Sequence, residues 1–545
     1  METTESIGRY LIEQLYACGV RHIFGVPGDY ILGFFGELAH SKIKIINACD
    51  EQGAGFMADA YARLRGLGVV CVTYGVGGLK VINTTAQAFA EKSPVVVISG
   101  APGMKEREKF PLLHHKVRDF DTQQKVFEQI TVASTILKNS QTVSLEIDRV
   151  LSAALWNKLP VYIELPRDMV STPIVTHHYI SSRIRTTDSV ILEEVLAEAV
   201  KMINASKKPV IITGVELQRF GLHEQLLRLA EKTNIPIATT ILSKSLISES
   251  HPLYLGTYEG VMGHESTKEY VESSDCLIVL GDLMTDIYLD IFPVQIYKGQ
   301  AIHVTNEKIS IRNHNYENVD IRSFLEGLIN TDIKKREFSN IFYTKTQKEF
   351  SPISRQKMTV RRLFECLNSF LTDNMIVLAD VGDALFGSID LHLRGRTKFL
   401  SPTYYASLGF AIPGSVGAQL ANPDARILVL VGDGAFQMTG MELATSARYH
   451  LNPIIIVLNN SGYTTERVML DGPFNDIQPL KYSRFAELVG NGQGMVVDTE
   501  DQLEQALNLA KKHTEGFYIL DVHLDPQDRS PALQRVSDWF AKRMH

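Results

Sequence analysis

The chain has 545 residues, 45% of them hydrophobic and 21% charged, with a formal net charge of −7. That length is too great for one core and predicts roughly two to four domains, while the mild acidity excludes a polyanion as partner, because no basic excess is available for nucleic acid or an anionic membrane. The five cysteines, Cys18, Cys49, Cys71, Cys276 and Cys366, form no CxxC pair, so they predict buried thiols in a reducing compartment, not a disulfide framework or a zinc site. The first segment, "METTESIGRYLIEQLYACG", is acidic before an amphipathic helix and lacks a basic leader. No later run reaches membrane-spanning length, and the expectation is a cytoplasmic protein.

Short apolar runs bounded by turn residues then recur along the chain: "PVVVISG", "PVYIELP", "PVIITG", "DCLIVLGD", "MIVLADVGD", "RILVLVGDG", "NPIIIVLNN" and "GFYILDVHL". None shows the period-2 alternation of a half-exposed strand, and helical stretches such as "SVILEEVLAEAVKMINAS" separate them. The pattern predicts parallel strands buried on both faces, an α/β architecture used repeatedly. Two polar, charged segments near 167–189 and 330–354 interrupt it. They divide the chain into three expected domains, 1–180, 190–335 and 355–545.

Two strands of the last domain end abruptly in small polar residues, Gly432-Asp433-Gly434 and Asn459-Asn460-Ser461-Gly462. Ligands of parallel sheets bind beyond the carboxyl ends of the strands, where loops and helix N-termini present N–H groups. A carboxylate and an amide oxygen there, joined by a backbone carbonyl and phosphate oxygens, suit Mg²⁺ and its preference for octahedral oxygen ligation. Elsewhere, "YGVGGLK" at 74–80 has the look of a dinucleotide loop, but Lys80 stands where the third glycine is needed.

The GDG, a spacer of some two dozen residues and the NN resemble the signature of thiamine-diphosphate enzymes. With "GVPGDY", "DEQGAGFMADAYAR", "VTYGVGG", "EKSPVVVISGAP", "LLHHKV" and "LNNSGYTTER" in order, nearly the whole chain resembles the pyruvate and indolepyruvate decarboxylase family, most closely its bacterial phenylpyruvate/indolepyruvate branch. The resemblance implies thiamine diphosphate and Mg²⁺ as cofactors, with Asp433, Asn460 and the carbonyl of Gly462 as metal ligands and Gly434 and Ala435 along the diphosphate. It implies Glu51 as the carboxylate that engages the aminopyrimidine, Leu408 as the apolar wedge that folds the cofactor, and Thr73 and Asp383 beside it. As proton handlers it implies Asp29, His114, His115 and Glu466, because release of CO₂ needs an electron sink and the step that follows needs a proton donor.

The implied reaction is non-oxidative decarboxylation of a 2-oxo acid to an aldehyde and CO₂. A carboligase typically lacks the His-His pair, so "LLHHKV" and Glu466 favour protonation; a catalytically silent scaffold is the alternative of a different class. Leu385, Phe386, Val536 and Phe540 are expected to shape the substrate pocket, with a bulky or aromatic acid favoured because Leu385 is smaller than the Trp of some pyruvate-specific relatives. Branched aliphatic acids and pyruvate stay open as alternatives. The resemblance also implies an active site shared between two chains, hence a homodimer as minimal unit, commonly paired into a homotetramer.

Overall fold

A computed structural model of the chain describes residues 5–174, 187–283, 285, 300–338 and 349–543, with the last four as backbone only. The two polar interruptions predicted from the sequence lie partly outside these residues. Three sheets flanked by helices account for the described chain. The first contains β1 (His22–Gly25), β2 (Lys44–Asn47), β3 (Gly68–Val72), β4 (Val95–Ala101), β5 (Ala133–Ile136) and β6 (Val161–Pro166). All its pairings are parallel, in the order β2-β1-β3-β4-β6-β5.

The second sheet contains β7 (Pro209–Thr213), β8 (Ile237–Thr239), β9 (Tyr254–Thr257), β10 (Cys276–Leu280), β11 (Ala301–Val304), β12 (Lys308–Ile311) and β13 (His314–Glu317). Its order is β13-β12-β11-β10-β7-β8-β9, and its β13-β12 and β12-β11 pairings are antiparallel. The third contains β14 (Met375–Ala379), β15 (Lys398–Leu400), β16 (Arg426–Gly432), β17 (Ile454–Asn459), β18 (Gln493–Val497) and β19 (Tyr518–His523), all parallel, in the order β15-β14-β16-β17-β19-β18. The first and third sheets are therefore wound alike: second strand, first, third, fourth, sixth, fifth.

The missing alternation in the sequence has a direct cause. Leu428, Leu430, Ile454 and Ile456 enter one apolar cluster, while their neighbours Ile427, Val429, Val431, Ile455 and Val457 enter another on the opposite face. Both faces of the strands are covered, so both sets of side chains must be apolar. The same division separates Val69, Cys71, Val96 and Ile98 from Val70, Val72, Val95 and Val97 in the first sheet. The thiols depart from expectation: Cys71, Cys276 and Cys366 are buried, but Cys18 is half-buried and Cys49 exposed.

One helix, Glu51–Arg65, joins the first domain to the third. Asp50 caps it, accepting from Gln52 N at 2.8 Å, and its small residues allow close approach. It packs against the helix Ala411–Ala421, where a Cβ on Gly417 would lie 2.1 Å from the carbonyl of Met57. Only glycine permits that contact. At the helix N-terminus, Glu442 of the third domain accepts from Cys49 N at 3.1 Å and Asp50 N at 3.0 Å, fixing the approach of Glu51.

Candidate active site

The implied functional residues all fall at or beyond carboxyl ends of strands in the two similarly wound sheets. In the first, Asp29 follows β1, Glu51 follows β2, Thr73 follows β3, and His114 and His115 follow β4. In the third, Asp383 follows β14, Leu408 follows β15, Asp433 follows β16, and Asn460, Gly462 and Glu466 follow β17.

The third-domain group is buried and prearranged. Asp433, 1% exposed, opens the helix Asp433–Thr439 and accepts from Gly434 N at 2.8 Å, Asn460 N at 3.1 Å and Ser461 N at 2.6 Å. Burial pushes its pKa up to about 6 against the opposing pull of these N–H donors. The Asn460 Nδ2 donates to Thr464 Oγ1 at 2.6 Å, whereas its Oδ1 is buried without a hydrogen-bond partner. An amide oxygen left bare beside a buried carboxylate fits a hard cation, because an unpaired buried polar atom otherwise costs ~1–3 kcal/mol. Thr73 Oγ1 and Asp383 Oδ1 are orphaned in the same way, while Asp383 Oδ2 accepts from Ser530 N at 2.8 Å. Gly434 and Gly462 leave no room for a Cβ, which would lie 2.5 Å from the Tyr463 ring and 2.3 Å from the Asn475 carbonyl. Ala435 is buried beside them.

Leu408, half-buried, projects from a turn that is held at several points. Asp380, fully buried, accepts from Gly409 N at 2.9 Å and Ala411 N at 2.8 Å, and Thr439 Oγ1 donates to the Gly409 carbonyl at 2.8 Å. From the first domain, Glu91 accepts from Tyr404 N at 2.8 Å and Tyr405 N at 3.0 Å. Gly409 has φ +90°, a backbone state that glycine adopts without strain.

The first-domain group is more open. Asp29 Oδ2 lies 2.8 Å from His114 Nε2, and the His114 and His115 rings are 4.8 Å apart. Tyr30, buried, stacks on His114 with centroids 4.7 Å apart, and the Arg167 guanidinium stands 5.1 Å over the Tyr30 ring and 3.8 Å from Asp29 Oδ2. Glu106 holds Arg167 in turn, accepting from its Nε at 2.9 Å. Lys80 pairs with Asp50 and reaches Glu51 Oε2 at 3.2 Å. So the glycine-loop mimic brings an ammonium to the Glu51 carboxylate. Glu466 is exposed on the helix Thr464–Met469.

Among the described residues, no hydrogen bond or ion pair joins Asp29, Glu51, His114 or His115 to Asp433, Asn460 or Glu466 within one chain. The proposed pocket residues lie together in part: Leu385 is 5% exposed within the third-domain core, and Phe386 and Val536 pack against that cluster. Phe540 belongs to the helix Pro531–Arg543, but its side chain lies outside the described residues. Tyr30, Lys80, Glu91, Arg167 and Asp380 were not singled out as site residues from sequence. Tyr30, Lys80, Glu91 and Asp380 stood within quoted stretches; Arg167 carries no local signature.

Three family models match, one in each sheet-bearing region: the N-terminal thiamine-pyrophosphate-binding domain of thiamine pyrophosphate enzymes over residues 5–131, their central domain over 196–329, and their C-terminal thiamine-pyrophosphate-binding domain over 380–522. The chain belongs to the thiamine pyrophosphate enzyme family. An indole-3-pyruvate decarboxylase of Azospirillum brasilense is 34% identical, covering 98% of both chains. A probable pyruvate decarboxylase of Schizosaccharomyces pombe, Pdc101, is 30% identical over 99% of this chain and 96% of its own. An alpha-keto-acid decarboxylase of Mycolicibacterium paratuberculosis is 31% identical over 96% and 94%. No helix among the described residues is long and apolar enough to cross a membrane.

Proposed function

We propose that this chain is a thiamine-diphosphate- and Mg²⁺-dependent 2-oxo acid decarboxylase that releases an aldehyde and CO₂ and favours a bulky or aromatic acid. The observation that carries the reading is the Asp29–His114 pair, 2.8 Å apart with His115 beside it, set in the sheet whose twin bears the buried Asp433 and the bare Asn460 oxygen. One sheet supplies proton handling, the other anchorage. Bound thiamine diphosphate supplies the carbon nucleophile and the electron sink that decarboxylation requires.

The chain's residues do the remaining work. Asp433, Asn460 and the Gly462 carbonyl hold Mg²⁺, and Gly434 and Ala435 let the backbone approach the diphosphate. Glu51 would engage the aminopyrimidine, Thr73 and Asp383 would line its setting, and Leu408 would stand beside it as an apolar wedge. Asp29, His114 and His115 deliver the proton that converts the decarboxylated product into an aldehyde, and Glu466 faces the substrate carboxylate. Tyr30 positions His114 by stacking. Glu91 and Asp380 keep the Leu408 turn in place.

The exposure of Asp29 and His114 side chains, 43% and 57%, and the lack of a bond between the two groups within one chain support a homodimer as minimal active unit, in which each site takes one group from each chain. Pairing into a tetramer and a cytoplasmic location complete the proposal. The preference for phenylpyruvate or indolepyruvate is supported by the indolepyruvate relative and by the modest volume of Leu385. To test the function, protein stripped of metal and cofactor is assayed for aldehyde from a single 2-oxo acid. Activity should be absent until both thiamine diphosphate and Mg²⁺ are restored. A product formed only with a second oxo acid would indicate a carboligase, and none at all a silent scaffold.

A further inference from the structure

Successive side chains of an extended segment point to opposite sides, so a His-His pair does not ordinarily present both rings to one ligand. Here it does, because His115 has φ +66°. The left-handed state is sterically costly for a residue with a Cβ, and it is held from below by Gly75, where a Cβ would lie 2.4 Å from the His115 carbonyl. With that turn in place, the His114 and His115 rings stand 4.8 Å apart at 80°. Tyr30 stacks on the first at 20° and meets the second edge-on at 70°. Asp29 completes the group: one ligand-capable atom from each of Asp29, His114 and His115 lies within 4.8 Å of the other two. The Nδ1 of His115 is buried without a hydrogen-bond partner.

We propose that Asp29, His114 and His115 form a Zn²⁺ site distinct from the Mg²⁺ site of the third domain. Two imidazoles and a carboxylate are a three-ligand zinc set, with water as the fourth ligand. Tetrahedral ligation at Zn–N distances of about 2.0–2.1 Å needs ligand atoms roughly 3.3 Å apart; Asp29 and His114 already meet at 2.8 Å, and all three ligand atoms lie within 4.8 Å of one another, so side-chain rotation must close the set on the ion. The two sites select by chemistry: imidazole suits Zn²⁺, whereas Asp433 and Asn460 offer only oxygen, the preference of Mg²⁺. Arg167, 3.8 Å from Asp29 Oδ2, opposes a second cation, but Glu106 draws its charge away and moderates the effect. If these side chains are the proton donors of the proposed reaction, a bound Zn²⁺ withdraws them and inhibits reversibly.

The test uses the full chain loaded with thiamine diphosphate and excess Mg²⁺, with Zn²⁺ titrated against a chromogenic chelator. One Zn²⁺ should bind per chain, undisplaced by Mg²⁺, and both Asp29→Asn and His114→Gln should weaken it about tenfold or more, as loss of one of three ligands requires. Asp29→Asn is an isosteric change at an exposed position, so it stays informative if the histidine variant folds poorly. No Zn²⁺ bound beyond Mg²⁺-displaceable metal, or binding that survives both substitutions, would overturn the site. Inhibition of aldehyde release by Zn²⁺, relieved by the chelator, is expected alongside. Binding without inhibition would uphold the site and count instead against the proton-donor roles.

Discussion

The first and third sheets share a strand order, yet their carboxyl ends carry opposite chemistry. In the third, Asp433 and Asn460 are buried, prearranged by backbone N–H donors and left with a bare amide oxygen. In the first, Asp29 and His114 stand open to solvent, steadied by an aromatic platform. The same winding brings strand ends to the same place, so fold alone does not assign function to either. Rigid burial suits holding a cofactor, and exposure suits side chains that must exchange protons.

Removing the anchor should have the largest effect. Asp433 organises the loop from Asn460 to Ser461 as well as offering a metal ligand, so Asp433→Ala should abolish activity and weaken thiamine diphosphate by more than the ~10–100-fold typical of losing an outer-shell partner. Calorimetric titration of the cofactor checks this. Wild-type affinity in the variant would mean that the third sheet is not the anchor.

Glu51→Gln should break the other half: cofactor binding persists, while turnover falls by roughly 10²–10⁴. Mixing the two inactive variants under conditions of subunit exchange should restore activity, since a mixed dimer rebuilds one site from an intact Glu51 and an intact Asp433. Confirmed exchange with no recovered activity would place both groups of a site in one chain.

Which parts of this arrangement were legible in the sequence follows from where the physical constraint sits. Strands such as Arg426–Gly432 were readable because burial on both faces demands unbroken apolar runs, and the family resemblance then ordered them. The strands Lys308–Ile311 and His314–Glu317 were missed: they are short, polar and antiparallel at a sheet edge, with one covered face at most. Asp433 and Asn460 stand in local motifs and could be named. Lys80 meets a carboxylate 29 residues away, a contact made only once the first domain has folded, and Glu91 meets a backbone 313 residues away, a contact that exists only once the first and third domains have docked.

Substrate choice should respond more weakly. Leu385 lies almost wholly within the third-domain core, with Phe386 and Val536 against it. Leu385→Trp should therefore lower kcat/KM for phenylpyruvate about tenfold more than for pyruvate, the scale of a changed apolar contact. It should also destabilise the fold by ~1–3 kcal/mol through overpacking, visible as a lower Tm. A wild-type kcat/KM greater for pyruvate than for every bulkier acid would end the preference for large substrates.

The middle sheet extends the comparison with a strand-end carboxylate to which no cofactor role is assigned. Glu259, after β9, is 1% exposed; its Oε1 accepts from Ile241 N at 2.5 Å and its Oε2 is unpartnered. Burial is the main cause that raises its pKa from 4.5 to about 8, and the charge of Asp282 adds to it. The folded chain then keeps a proton that the unfolded chain loses, so between about pH 4.5 and 8 stability falls as pH rises, and above that it levels off. Glu259→Gln retains an oxygen for Ile241 N and never ionises. Its Tm should stay close to wild type at pH 5 and exceed it by a few degrees at pH 8, with ~2–4 °C for each kcal/mol in a domain of this size. A gap that stays constant from pH 5 to 8 would show that Glu259 is already ionised in the folded protein, and that the middle sheet, like the third, supplies its strand-end carboxylate with a partner.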